Sequence, residues 1–233
     1  FSGFVFKIQA NMDPRHRDRM AFLRVCSGRF QRNLMIHHGR LGRKFRLAQA
    51  FRLFGRERDS IEAAYAGDVI GLINPGLFAI GDTLSAGPPR QFAAIPRFPP
   101  ELFARLWTRD LTRQKSFAKG LAQLEEEGAI QVLWAADQRL HAPILAAIGE
   151  LQFDVVVARL AEEYGVDVRV ERLPFTEARW IKGDAPTVHR MIQPTQGTMR
   201  CQDSAGRPVL LFASPWELEY CAKHNSDLHF LEG

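Results

Sequence analysis

The spacing of apolar and polar positions changes about a third of the way along the chain. Up to residue 87, short apolar stretches are separated by Gly, Pro, Asn or Asp, which is typical of brief strands joined by turns. The predicted strands cover residues 4–8, 21–28, 51–54, 68–73 and 78–84. One helix is predicted in this region, over residues 60–67 and ending at Gly67. Many short strands at close spacing predict a small antiparallel β-barrel.

A proline-rich stretch follows. Residues 85–101 hold five of the 13 prolines of the chain. Proline fixes φ and removes a backbone donor, so this stretch is expected to be a semi-rigid connector and not part of a core. We therefore predict a domain boundary here, with one domain over residues 1–90 and a second over residues 91–233.

Beyond the connector, longer helical patterns alternate with strand patterns. The predicted helices cover residues 110–128, 148–166 and 185–192, with Asp110 as the first N-cap and a last helix from Pro215. The predicted strands cover residues 129–135, 142–149, 166–173, 177–182 and 208–213. The apolar side of the helix over 148–166 is expected to hold Leu151, Phe153, Val156, Val157, Leu160 and Tyr164. Such strand–helix–strand units predict a two-layer α/β sandwich with its helices on one face of the sheet, so the fold class is mixed β and α+β.

Charge is divided unevenly along the 233 residues. Residues 1–58 carry 14 Lys or Arg against 3 Asp or Glu, whereas residues 59–233 carry 17 basic and 23 acidic side chains. This split favours a polyanion, such as a nucleic acid, as the partner of the first segment, the alternative being a merely solvated surface. The chain starts at Phe1 with a strand pattern, so we expect it to be a piece of a longer polypeptide.

The sequence lacks the motifs of the common catalytic sites. It has no GxxxxGK[ST] phosphate loop, no GxGxxG after a strand, no HExxH helix and no GxSxG turn. The adjacent pair His37 and His38 would point to opposite faces of a strand, so a shared metal is not expected. The three cysteines form no CxxC pair and are expected to be apolar fillers in a reducing cytosol. We therefore predict no catalytic, cofactor or metal site in this chain, and no membrane partner because no apolar stretch nears the roughly 20 residues of a span.

Nine of the 14 basic side chains of residues 1–58 lie in two stretches of the barrel region, residues 11–22 and 29–46, which are expected to be loops. Arginine outnumbers lysine there, which suits paired contacts to phosphates of structured RNA. The candidate RNA-binding residues are Arg15, Arg17, Arg19, Arg40, Arg43 and Lys44.

Several stretches resemble known translation factors. Residues 148–166, "IGELQFDVVVARLAEEYGV", resemble the G-E-L-H helix of the third domain of elongation factor G, with Gln152 and Phe153 in place of its His-Leu pair. Residues 4–28, with the Asn-Met-Asp-Pro loop, resemble the second-domain opening of the bacterial peptide chain release factor 3 family. The stretches 64–72, 80–84, 98–106, 120–132 and 151–160 resemble that family in the same order.

This resemblance implies the second and third domains of a class II release-factor GTPase, the second being a β-barrel like domain II of elongation factor Tu. It implies the ribosome, through rRNA and ribosomal proteins, as the partner, and indirectly the stop-codon-reading release factors, whose recycling the family promotes in the cytoplasm. GTP or GDP with Mg would belong to a GTPase domain missing from this chain. The family's rearrangements also imply that the helix over 148–166 anchors a domain that moves as a rigid unit.

Two other interpretations stay open from the residues. The barrel could be the RNA-binding module of another GTPase related to elongation factor G, or a stand-alone RNA-binding protein. A hydrolase would require a catalytic constellation that the sequence does not contain.

Overall fold

The computed structural model describes residues 1–10, 19–54, 57–93, 95–96, 98–137, 142–192 and 195–232. Its contacts divide the chain into two compact units. The barrel unit comprises Phe1–Pro96 with Glu126–Gly128, and the α/β unit comprises Arg97–Glu125 with Ala129–Gly233.

The barrel unit is built from ten strands among its described residues. They are β1 (Ser2–Gln9), β2 (Arg19–Ser27), β3 (Arg29–Gln31), β4 (Leu34–His38), β5 (Arg43–Leu47), β6 (Ala50–Phe54), β7 (Glu57–Ile61), β8 (Ala63–Tyr65), β9 (Val69–Asn74) and β10 (Thr83–Ser85). Eight form one antiparallel sheet in the order β5-β4-β10-β1-β2-β9-β6-β7, and β3 pairs with β8.

This sheet must curl, because its first and seventh strands are neighbours in sequence. Strand β5 ends at Leu47 and β6 begins at Ala50, three Cα steps later, which span at most about 11 Å. In a flat sheet, six strand spacings of about 4.8 Å would separate them by roughly 29 Å. Ile36, Leu47 and Ala50 accordingly lie in one buried cluster with residues of β1, β2 and β9. The predicted barrel architecture is confirmed as a curled half-barrel.

Three local predictions in this unit were wrong. Residues 60–67 are not helical: β7 pairs with β6 and β8 pairs with β3, and these tertiary pairings override the helical propensity of the segment. Residues 29–46 are not a basic loop, since they form β3, β4 and β5. Of the strand predicted over 78–84, only the last two residues lie in β10, because Asn74 and Asp82 side chains accept from the backbone of residues 76–79 in a turn.

The α/β unit contains four helices and eight strands in its described part. They are β11 (Leu102–Thr108), α1 (Gln114–Glu126), β12 (Gln131–Ala135), β13 (Ile144–Ala147), α2 (Glu150–Tyr164), β14 (Val168–Leu173), β15 (Glu177–Ile181), α3 (Ala185–Met191), β16 (Thr198–Asp203), β17 (Pro208–Phe212), α4 (Pro215–His224) and β18 (Phe230–Leu231). A 3₁₀ turn, Leu111–Arg113, precedes α1, and Asp110 caps it by accepting from the Thr112 backbone N–H. Strands β11, β16 and β18 were not predicted.

All four helices lie on one face of this sheet, whose order is β14-β11-β13-β12-β16-β17-β15-β18. Val132 packs under α1 and α2, and the next residue on its face, Trp134, lies opposite Gln202. On the following strand, Arg200 lies opposite Leu210, which packs under α3 and α4. Alternate residues of a strand share a face, so the predicted sandwich with helices on one face is confirmed.

The face without helices is also buried, because this sheet curls too. Only three residues join β14, first in the order, to β15, seventh in the order, so the two strands lie within about 15 Å. Phe103, Leu133 and Leu211 therefore pack in one cluster on this face, with at most 1% of each side chain exposed.

Helix α2 is set by local signals at both ends. The Gln152 side chain accepts from the Ile148 and Gly149 backbone N–H groups at the start. Gly165 ends the helix with φ of 64°, a left-handed conformation that glycine tolerates. Phe153, Val156 and Leu160 are buried as predicted, but Leu151 is 77% exposed. That prediction was wrong, because positions 151 and 153 are about 200° apart around a helix.

Candidate nucleic-acid interface

The β4–β5 hairpin places positive side chains on the outside of the half-barrel. Ile36 lies opposite Phe45, and both contact the core. Their neighbours therefore face outward, with Lys44 opposite His37 and Arg46 opposite Met35. Lys44 and Arg46 are exposed, so the hairpin offers two cations on one outer face.

A buried carboxylate, that of Asp82, stabilises the turn of this hairpin. Asp82 is 2% exposed and accepts from Arg40 through Nε at 2.7 Å and Nη2 at 3.0 Å. It also accepts from the Ala79 backbone N–H at 2.7 Å. Arg40 Nη2 donates in addition to the Leu77 carbonyl at 3.0 Å. The Arg40 guanidinium thus joins two segments of the barrel unit.

His38 completes this cluster. Its ring is fully buried, its Nε2 lies 2.9 Å from Asp82 Oδ2, and it stacks on Phe78 with a centroid separation of 6.1 Å. Burial lowers the pKa of His38 below its ordinary 6.5, and the Asp82 charge only partly opposes this shift. His38 is therefore neutral at pH 7. His37 points to the opposite face, as predicted, and the described residues contain no group of three or more His, Cys, Asp or Glu that could hold a metal ion.

The six predicted RNA-binding residues have different surroundings. Arg15 and Arg17 lie outside the described residues. Arg19 begins β2 and is ion-paired with Glu126, a residue of the same unit. Arg40 is engaged with Asp82, although 47% of its side chain is exposed. Arg43 and Lys44 are exposed, and neither has an acidic partner among the described residues. The hairpin brings together Arg40, Arg43 and Lys44, and it adds Arg46.

Sequence reasoning missed two further exposed cations on the outer face of β1 and β2. Arg24 follows the buried Leu23 and lies opposite Val69, and Lys7 Nζ lies 5.6 Å from the centre of the Phe22 ring. The alternation of β2, in which Leu23 and Val25 are buried, was a signal that Arg24 faces outward.

The cysteines differ from one another. Cys201 and Cys221 are buried, as expected of apolar fillers, and burial raises the pKa of Cys201 to about 12. Cys26 is exposed near the end of β2, so the prediction that all three are fillers was wrong for this residue. All three are free thiols.

A curled β-barrel unit and an α/β unit thus follow one another along the chain. Residues 1–87 match the family model of elongation factor G domain 2. A crystal structure from Thermus thermophilus has the same fold, with a TM-score of 0.60 and 22% identity over 87% of this chain and 30% of that chain.

Residues 92–222 match the model described as class II release factor RF3, C-terminal domain. This match covers more than half of the chain, so the chain belongs to the class II release factor RF3 family.

Curated relatives agree with this assignment. Peptide chain release factor 3 of Gloeobacter violaceus is 51% identical over 232 residues, which cover 100% of this chain and 44% of that protein. The proteins of the same name from Nostoc punctiforme and Synechocystis sp. are each 50% identical, over 94% and 98% of this chain and 40% and 42% of theirs. The chain thus spans less than half the length of these relatives. No helix of the described residues has the length and apolarity needed to cross a membrane.

Proposed function

We propose that this chain is the ribosome-binding part of a translation-termination factor, and that its barrel unit docks on rRNA. The family match supports the termination role. A single observation supports the RNA contact. The edge strand β5 carries three exposed basic side chains that have no acidic partner among the described residues, Arg43, Lys44 and Arg46. Arg15 and Arg17 remain candidates for the same contact.

The basic side chains of β5 have a second possible role, which an experiment must distinguish from RNA binding. Strand β5 is the first strand of the sheet order, and lysine or arginine on an edge strand discourages pairing with another chain. In that case the charges would protect against aggregation and would not contribute to ribosome affinity.

The decisive variant is Arg43→Gln, Lys44→Gln and Arg46→Gln together, with affinity for ribosomes measured by co-sedimentation between about 50 and 200 mM salt. Three lost phosphate contacts should reduce the slope of log affinity against log salt by about 2.7, since each contact contributes about 0.9. Over that fourfold range of salt concentration, a slope of about 2.7 accounts for about a 40-fold loss of affinity, and the variant should not show this part of the loss.

The matched control removes three exposed cations from the other unit: Arg113→Gln, Lys115→Gln and Lys119→Gln. Both triple variants change the net charge equally. If the β5 variant and the unaltered chain had the same slope, the rRNA contact would be contradicted. If both triple variants lost the same amount of slope, the salt dependence would be an effect of net charge and not of contacts made by β5.

We also propose that the nucleotide chemistry belongs outside this chain. The sequence contains no phosphate-binding loop, so its residues do not fit GTP with Mg. In this proposal a GTPase domain supplies the nucleotide state. Residues 1–90 and 91–233 then transmit it to the recycling of stop-codon-reading release factors, with the α/β unit moving as a rigid body on its α2 core.

The test of this coupling is a full-length protein of this family carrying these residues, assayed for GTP-dependent release of a stop-codon-reading factor from ribosomes. Phe153 lies in α2 and is only 1% exposed. The substitution Phe153→Ala removes this buried ring, and it should impair release while leaving nucleotide affinity unchanged. Leu151→Ala, on the exposed side of the same helix, is the control. Equal release rates for the two variants would contradict the rigid-body role of α2.

A further inference from the structure

A cavity beside α3 in the α/β unit has a lining that brings a cation next to apolar side chains. Its volume is about 600 Å³, which lies within the range of about 300–1,000 Å³ that is typical of small-ligand sites. Phe175 and Met199 form an apolar part of the lining, and His189 and Arg200 contribute polar groups. All of the lining residues belong to the α/β unit. We call this site the α3 cavity.

The α3 cavity lies where strand β12 ends. The last residue of β12 is Ala135, and the backbone N–H of Ala136 donates to the Arg200 carbonyl at 2.8 Å. Met199 packs against the cluster of buried side chains on the face without helices. Arg200 follows it in β16 and lies opposite Leu210, on the face that carries the helices. Residues from both faces of the sheet therefore meet at this strand end.

Arg200 carries a positive charge that no described side chain neutralises. The residue is half-buried, and its Nε is inaccessible to solvent and has no hydrogen-bond partner among the described residues. Its Nη2 donates to the Ile192 carbonyl at 3.0 Å, which pairs one of the five N–H donors of the guanidinium. A carbonyl at the end of α3 supplies only a partial negative charge. The half-buried charge of Arg200 therefore lacks a counter-ion in the described part of the chain.

The other polar residues of the lining do not change this balance. His189 Nε2 lies 3.1 Å from the Cys201 carbonyl, so this nitrogen carries the ring proton. Burial lowers the pKa of His189, the hydrogen bond to Cys201 partly opposes this shift, and the charge of Arg200 adds to it. His189 is therefore neutral at pH 7. Asp137 also lines the cavity, but it already takes part in a polar interaction, and none of the described ion pairs joins it to Arg200.

We propose that the α3 cavity binds a small organic anion, a carboxylate or a phosphate that carries an apolar group. The anionic group pairs with the Arg200 guanidinium, whose planar donors match the oxygens of both kinds of group. The apolar group lies against Phe175 and Met199. Binding neutralises a half-buried charge and buries apolar surface at the same time. Strand β5, which carries the proposed rRNA contact, belongs to the other unit.

The experiment follows the methionine methyl signals by NMR in the whole chain labelled with carbon-13 at these methyl groups. Met199 lines the cavity, and the substitution Met199→Leu identifies its signal. Met35, which is 49% exposed on β4 of the barrel unit, reports nonspecific effects. The chain is titrated at constant ionic strength with benzoate, phenyl phosphate, benzyl alcohol and benzylamine, which share one ring and differ in charge.

We expect at least one of the two anions to shift the Met199 signal at concentrations about tenfold lower than benzyl alcohol, because a hydrogen-bonded charge pair is added to the same ring contact. The more effective anion identifies carboxylate or phosphate as the preferred group. Benzylamine should be the weakest ligand, and the Met35 signal should stay in place.

Two variants and one control assign the binding to the cavity. Arg200→Gln should weaken binding of the anions about tenfold and leave binding of benzyl alcohol unchanged. Ala136→Leu fills part of the cavity without a change of charge, and it should weaken binding of all the ligands. The matched control is Arg190→Gln, which removes an exposed cation of α3 that does not line the cavity and should have no effect.

Arg200→Lys keeps the test valid if Arg200→Gln fails to fold, because lysine retains the charge and should retain the preference for anions. Equal shifts with the anions and benzyl alcohol would overturn the proposal, and so would a stronger response to benzylamine. Unchanged binding of the anions by Arg200→Gln, or an equal loss in Arg190→Gln, would also overturn it. The assay contains neither ribosomes nor RNA, so its result is independent of the rRNA proposal.

Discussion

Replacement of Arg40 by Ala tests whether this residue stabilises the barrel or contacts RNA. Its guanidinium makes two hydrogen bonds to the carboxylate of Asp82, which is 2% exposed, and one to the Leu77 carbonyl. The hydrogen bond to Asp82 also raises the pKa of the Arg40 guanidinium above its ordinary value. The Arg40→Ala variant leaves Asp82 buried, with the Ala79 N–H and the His38 ring, whose Nε2 lies 2.9 Å from Asp82 Oδ2, as its remaining polar contacts among the described residues.

The expected loss of stability follows from these contacts. A hydrogen bond to a charged group contributes about 1.5–3 kcal/mol net, so two would give roughly 3–6 kcal/mol if both partners were buried. The Arg40 side chain is 47% exposed, and solvent screening reduces the value of such a pair. We expect the free energy of unfolding to fall by about 2 kcal/mol.

The assay is urea unfolding followed by circular dichroism, with Arg43→Ala as the control on the same hairpin. Arg43 is exposed without an acidic partner among the described residues, so its loss should change stability by less than about 0.5 kcal/mol. In a double-mutant cycle, Arg40→Ala and Asp82→Asn should couple by at least about 1 kcal/mol. A stable Arg40→Ala variant with reduced ribosome affinity would refute this reasoning and make Arg40 an RNA contact.

Three further outcomes are expected. Gly120→Ala in α1 should lower the free energy of unfolding by about 1 kcal/mol despite the better helix propensity of alanine, because the new Cβ would lie 2.6 Å from the buried Leu160 Cδ2; a more stable variant in urea unfolding would contradict the packing. The pKa of His38 is lowered in the folded chain, so between that lowered value and 6.5 the unfolded chain binds more protons and stability falls as pH decreases from about 7 to 5. His38→Asn should reduce this pH dependence, leaving the part due to His189, whose pKa burial also lowers; an unchanged slope of urea stability against pH would be inconsistent with a buried neutral ring. Ellman's reagent should modify one thiol rapidly in the folded chain, Cys26, and three in denaturant; rapid modification of two or more in native buffer would show that the buried cysteines are accessible.

Short-range signals in the sequence were sufficient to predict the helices of the α/β unit. The N-cap at Asp110 and the left-handed end at Gly165 depend on residues within a few positions, so they can be recognised without knowledge of the fold. The same holds for the buried positions Phe153, Val156 and Leu160, which follow the helical period. The wrong assignment of Leu151 departed from that period.

Strands of the barrel unit were predicted less well, because each depends on partners far along the chain. The segment 60–67 has helical composition, yet its strands pair with residues 29–31 and 50–54. Residues 43–47 hold three cations and residues 34–38 end in two histidines, so neither stretch shows a simple apolar alternation. The alternation becomes visible only when Ile36 and Phe45 are seen to face the core.

The sequence by itself determined that the chain has a basic, β-rich first part and an α/β second part, and its motifs were enough to indicate the release-factor family. Only the tertiary structure decided which cations are available to a partner. Arg40 is separated by three residues from Lys44, but the fold brings Asp82 beneath the first and leaves the second in solvent. The physical reason is that a charged side chain is neutralised by an opposite charge close to it in space. The curled sheet brings Asp82 to Arg40, although the two residues are 42 positions apart in sequence.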